Sequence, residues 1–203
     1  MSTGQDIIDE IRDETQDTDD LSVDDAVLLR YINRGAKDFC TLSGALQGTA
    51  NINTDNTNFK FTLSASLTNN VAVFEVEFNG TPLSRTFHHE VTYQFGADKE
   101  TPTNATAWFE FNGVLYIEVI PPTATGADAL NISYFRTPTV MTAVGSTFDF
   151  PAEYEPAIVD WGIARVRYSD RDSILASSEM AQYYAIREGA RAINKNKLLG
   201  DAN

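Results

Sequence analysis

The sequence predicts an α+β protein: a four-helix bundle formed by the N- and C-terminal segments, with an antiparallel β domain inserted between helices two and three. Three observations predict it. Apolar residues recur at helical spacing near both ends of the 203-residue chain; a period of two replaces that spacing in the middle; and turn dipeptides punctuate the middle block. The expected division is 1–46 and 148–203 for the helical base and 47–147 for the inserted β domain.

The first helix is expected over Asp6 to Thr15, where Ile7, Ile8 and Ile11 share a face among acids. Asp17, Asp19 and Asp20 make a polar break, and Ser22, three residues before Asp25, is the expected N-cap of the second helix. Asp24 and Asp25 suit the positive end of that helix dipole. Leu28, Tyr31, Ile32, Gly35 and Phe39 mark its apolar face, and it ends near Leu42-Ser43-Gly44.

The β block opens with a polar-rich alternating stretch from Asn51 to Thr62. Ala72, Phe74, Val76 and Phe78 then alternate with Val71, Val73, Glu75 and Glu77, the pattern of a half-buried strand. Asn79-Gly80 closes that strand, since both residues tolerate the positive φ of a type I′ turn. Pro82 makes its partner short or an edge. Trp108 to Phe111, then Asn112-Gly113, then Val114 to Ile117, forms a second hairpin. A two-residue turn there pairs Phe111 with Val114, Phe109 with Tyr116 and Trp108 with Ile117. Each such cross-strand pair contributes roughly 0.2–1 kcal/mol. Pro121-Pro122 ends the hairpin, and Leu130, Ile132 and Tyr134 alternate once more.

Pro156 fits the first turn of a third helix, where its missing N–H costs nothing. Tyr154, Ile158, Trp161 and Tyr168 lie on one side of it, and Gly162 permits a neighbour to approach closely. After the break at 169–173, Ala176, Met180, Tyr183, Ile186, Ala190 and Ile193 form the apolar stripe of the last helix. Its final turns carry Arg187, Arg191, Lys195 and Lys197.

A formal net charge of −14 argues against a nucleic-acid reader, whose affinity rests on a basic, phosphate-facing surface. Cys40, the one cysteine, allows neither an intrachain disulfide nor a cysteine-based zinc cluster. The N-terminus reads as having no secretory signal, and no run of apolar residues suggests a membrane span. No cofactor or metal site is expected. His88 and His89 are adjacent, so on a strand they point to opposite faces. The acidic run from Asp13 to Asp20 fails as a calcium loop: counted from Asp17, Ser22 stands where glycine is needed and Leu28 where the bidentate glutamate is needed. Asn104-Ala105-Thr106 and Asn131-Ile132-Ser133 match glycosylation sequons, which without a secretory signal are read as coincidence. No nucleophile motif or glycine-rich phosphate loop is present, so no catalytic residue is named.

Two groups of residues remain. Arg187, Arg191 and Lys195, continued by Lys197, form a basic stripe that either complements the negative end of its own helix or docks an acidic partner. Tyr154, Ile158, Trp161, Tyr168, Met180, Tyr183 and Tyr184 serve either the core or a contact between subunits, where aromatics are enriched.

The run Phe150-Pro151-Ala152-Glu153-Tyr154-Glu155-Pro156 through Trp161, then Ala164-Arg165-Val166-Arg167-Tyr168-Ser169-Asp170, resembles the head-to-tail adaptor (connector) proteins of tailed phages. So do Glu179 to Tyr184 and the stretch from Leu29 to Phe39. The resemblance covers the two helical ends, about half the chain, and is a pattern of helix faces. It implies a structural virion protein of the neck, made in the host cytoplasm. The chain would form a homo-oligomeric ring, commonly of twelve copies, beneath the portal protein, link it to the next tail or neck component, and be no enzyme. Its C-terminal helix would dock on the portal, giving Arg187, Arg191, Lys195 and Lys197 their role. DNA would pass through the channel without sequence-specific binding. Twelve chains at −14 each would surround it with about −170 of charge. The alternative is a carbohydrate- or host-binding β module on a helical stalk, anchored on aromatics such as Trp108.

Overall fold

The computed structural model describes residues 2–16, 23–63, 67–86, 105–118, 121–126 and 129–199, without the side chains of 196–199. It is a mixed α+β protein. The described helices are α1 (Gly4–Thr15), α2 (Asp25–Ser43), α3 (Glu155–Ser169) and α4 (Ser173–Leu199). The described strands are β1 (Gln47–Ile52), β2 (Lys60–Thr62), β3 (Asn70–Phe78), β4 (Thr81–Pro82), β5 (Ser84–Arg85), β6 (Ala107–Phe111), β7 (Val114–Ile117) and β8 (Leu130–Arg136). They fall into two compact units, Met1–Leu46 with Thr137–Lys195 and Gln47–Arg136 with Asn196–Asn203.

In the helical unit α1 begins two residues before the expected Asp6, because Thr3 and Asp6 form a capping box. The Thr3 hydroxyl accepts from the Asp6 N–H at 3.2 Å, and the Asp6 carboxylate accepts from the Thr3 N–H at 2.7 Å. These bonds hold the Asp6 carboxyl below its ordinary range. Ile7, Ile8 and Ile11 are buried, as their spacing requires. The cap of α2 is Asp24, where the sequence pointed to Ser22, which lies outside the described residues. Asp24 Oδ1 accepts from the Val27 N–H at 2.8 Å, satisfying a free donor of the first turn. Asp25 instead pairs with Arg12 at 2.7 Å, and Arg12 also donates to the Val23 carbonyl at 3.0 Å. Those bonds fasten the end of α1 to the start of α2. At the far end Gly44, at φ 64°, closes α2 by donating to the Cys40 carbonyl.

The helices α1, α2 and α3 pack on one another. Gly162 makes this possible: a Cβ there would lie 2.3 Å from Ile11 Cδ1. The segment Thr137–Phe150 belongs to this unit, although 137–147 read as β block. The Asn33 amide brackets Met141, donating to its carbonyl and accepting from its N–H, both at 2.9 Å. Phe148 donates its N–H to the Ser2 carbonyl and stacks on Phe150 at 5.1 Å. Isolated polar side chains and aromatics hold this stretch, which no periodicity could announce.

The second unit contains two sheets, ordered β1-β8-β3-β4 and β2-β7-β6-β5. Their inner residues share one core, with Val73, Val76, Phe78, Ile132 and Tyr134 from the first and Phe61, Trp108, Leu115 and Ile117 from the second. Among the described residues the ladders are antiparallel except β5 with β6, which is parallel. The β6–β7 hairpin has the expected register, Trp108 opposite Ile117, Phe109 opposite Tyr116 and Phe111 opposite Val114. Both Asn-Gly turns have positive φ at each residue, 51° and 70° for Asn79-Gly80 and 51° and 71° for Asn112-Gly113. β4, with Pro82, is short and at a sheet edge.

One strand departs from simple alternation. The ladder between β3 and β8 slips between Val73 and Glu75, so Phe74 is an extra residue. Val73 is consequently buried with Val76 and Phe78, whereas Phe74 turns away and meets Phe135 at 4.6 Å.

Candidate functional site

The aromatic and basic residues singled out in the C-terminal half converge on α2 and its neighbours. Tyr183 of α4 is fully buried, and its hydroxyl donates to Asp38 of α2 at 2.7 Å. Arg187, one turn further along α4, donates to the same Asp38 oxygen at 3.0 Å and to Glu188 at 3.1 Å. Burial, then the bond to Asp38, pushes the Tyr183 phenol far above its ordinary range, so it serves as a donor at any working pH. For Arg187 burial opposes the charge, but the bonds to Glu188 and Asp38 outweigh it and its pKa rises. The guanidinium also lies 4.9 Å from the Tyr184 ring centre. Arg187 is therefore bound into the fold of its own chain, with its side chain 15% exposed.

Arg191 is different. It touches Glu188 only at 3.5 Å, and its side chain is 58% exposed. Lys195 is exposed and has no ion pair among the described residues. The side chain of Lys197 lies outside the described ones. The basic stripe thus splits into Arg187, held inward by Asp38, and two exposed cations, Arg191 beside Glu188 and Lys195 with no ion pair among the described residues.

The aromatic set divides similarly. Trp161 is almost buried: its ring fills the space over Gly35, where a Cβ would come within 2.7 Å, and lies 5.0 Å from Tyr183. The Arg165 guanidinium covers its other side at 4.2 Å. Ile158 is fully buried and Met180 nearly so. Tyr154 is half-buried against Phe39 at 5.2 Å. Tyr168 and Tyr184 are exposed, at 44% and 45%. Tyr154, Ile158, Trp161, Met180 and Tyr183 are thus core residues of the unit, and only Tyr168 and Tyr184 present open aromatic surface. On α4 the buried line ends at Asn194 rather than Ile193, which is 77% exposed. Asn194 stands about five turns after Ala176 and so returns to the same side.

Two further residues hold this cluster together, Asp38 by accepting from Tyr183 and Arg187 and Arg165 by covering Trp161. Asp38 sits one place off the apolar face of α2, and Arg165 four residues after Trp161, a spacing that stacks side chains. That i, i+4 relation was the available signal.

In the β unit Trp108 is 1% exposed, with Arg85 over its ring at 5.3 Å, so it presents no platform to a sugar. His88 and His89 lie outside the described residues. Among the described residues no group of three His, Cys, Asp or Glu side chains is placed to hold a metal ion. No described helix is long and apolar enough to cross a membrane.

The protein-family model described as SU10 adaptor protein matches residues 2–201, nearly the whole chain. No curated protein matches it.

Proposed function

The chain belongs to the SU10 adaptor protein family, phage head-to-tail adaptors, and from that premise we propose that it is a ring-forming structural subunit of the virion neck. In this reading α1 to α4 form a four-helix bundle that builds a ring, of twelve copies, beneath the portal. The β domain is an insertion between α2 and α3 that meets the next tail or neck component. The ring continues the channel through which DNA passes without sequence-specific binding. The role is structural and involves no catalysis.

The family match across residues 2–201 carries this reading. The surface chemistry supports it. Arg191 and Lys195 are exposed cations near the end of a long helix on a chain of net charge −14, suited to an acidic partner. The acidic remainder would repel duplex DNA and let it slide.

Attachment to the portal tests the proposal. Arg191→Glu with Lys195→Glu is expected to weaken binding to the isolated portal ring by roughly tenfold or more, with the circular dichroism unchanged. Arg187 is left out, because a glutamate there would face Asp38 and disturb the fold itself. Binding equal to wild type would remove the docking role of α4, and a wild-type chain that never bound the portal would remove the neck role.

A further inference from the structure

The helical unit has two differently charged flanks, set on either side of α3. Where α3 meets α2, Tyr31, Arg34, Trp161, Arg165, Tyr168 and Ser169 line a cleft of about 310 Å³. Neither Arg34 nor Arg165 has a carboxylate partner among the described residues. The Trp161 indole N–H, on a residue only 9% exposed, is buried without an acceptor. Arg30 and Lys37, about one turn to either side of Arg34, are exposed and also unpaired among the described residues. This is a concentration of unused donors on an acidic chain.

The other flank is acidic. Glu10 lies on α1 next to Ile11, whose side chain fills the space over Gly162 of α3; Asp160 is two residues before that glycine, and Glu179 lies on α4. Burial, then Glu179, then Glu10 push the Asp160 carboxyl up to about 6. None of the three has a cationic partner among the described residues. Asp160 and Arg165 are five residues apart, about 140° around the helix. The flanks therefore face different directions on one rigid element.

We propose that these flanks are the two halves of a head-to-tail contact between copies of this chain, in which Glu10, Asp160 and Glu179 of one copy enter the Arg34–Arg165 cleft of the next. The inference rests on the ring-forming role proposed above and names the surfaces that perform it. Guanidinium groups are donors, and carboxylates are the acceptors they lack. The crowded carboxylates gain cations, and the cleft gains its missing acceptors. A cleft of about 310 Å³ admits side chains and excludes a duplex. Because the halves are distinct, each copy in a pair keeps one half open, and addition continues until the chain of copies closes.

The test is a charge exchange in full-length protein, read by sedimentation velocity at low salt. One variant carries Glu10→Lys and Glu179→Lys; the other carries Arg34→Glu and Arg165→Glu. Wild type is expected to associate, less so as salt rises. Each variant alone is expected to remain monomeric, since its two halves then carry like charge. Mixed in equal amounts the variants are expected to associate, because both alternating contacts are complementary, and this recovery also shows that both are folded. The exposed single change Arg34→Glu, expected to weaken association roughly tenfold, serves if the double variant fails to fold. Variants that associate alone like wild type, or a wild type that stays monomeric at low salt, overturn the proposal. Portal binding by the wild type is measured in parallel. Binding without charge-dependent association would sink this interface and leave the neck role standing, and the reverse would do the opposite.

Discussion

Trp161→Ala is expected to destabilise the helical unit by about 3–5 kcal/mol, the usual cost of emptying a packed aromatic site. The ring is held on three sides, by the bare backbone of Gly35, by Tyr183 at 5.0 Å and by the Arg165 guanidinium at 4.2 Å. Gly35 cannot move into the gap, and Tyr183 is fixed by its bond to Asp38, so the site relaxes little. The indole N–H has no acceptor to lose, which places the expectation toward the lower part of that range. Urea unfolding, followed by near-ultraviolet circular dichroism and by hydrogen exchange in α2 and α3, measures it. An unfolding midpoint unchanged from wild type would mean that this packing contributes nothing.

Trp108→Ala is expected to cost a similar 3–5 kcal/mol in the β unit, again from the lost burial of a large ring. Trp108 lies opposite Ile117 in the β6–β7 hairpin and points into the core that both sheets share. Its removal should raise hydrogen exchange in β6 and β7 while leaving any interaction with glycans as it was, namely none. Saturable sugar binding that disappears with Trp108 would overturn this, because a residue 1% exposed cannot be the contact.

What could be read in advance follows from where the physics is local. The hairpin from Trp108 to Ile117 was legible to the register, because Asn112-Gly113 selects a two-residue turn and the turn then fixes every pair. The faces of α1 and α2 were legible because one apolar stripe meets one core. The bulge at Phe74 was not: alternation alone cannot show that a partner strand will skip a residue. The cap of α2 was misplaced by two residues, since Ser22 and Asp24 are both good capping types and only the geometry selects Asp24. The segment around Met141 carries no period and is held by the single side chain of Asn33.

The candidate surfaces were less legible than the fold. Arg187, Arg191 and Lys195 are alike in sequence, yet Arg187 is drawn inward by Asp38, a residue 149 positions away. Trp161, Tyr168, Tyr183 and Tyr184 are equally aromatic, and the structure buries two and exposes two. Separating structural from contact residues needs the tertiary partner, which no local pattern contains. The unpaired Arg34 was invisible for the same reason: its significance is the absence of any carboxylate within reach among the described residues.

Ring formation in the neck is tested most directly by the native mass of the full-length protein mixed with its portal ring. One discrete complex is expected, carrying a fixed number of copies per ring, twelve if the proposed ring is right, from which free chain dissociates as salt rises. Portal and chain appearing as separate species at every ratio and salt concentration would contradict it.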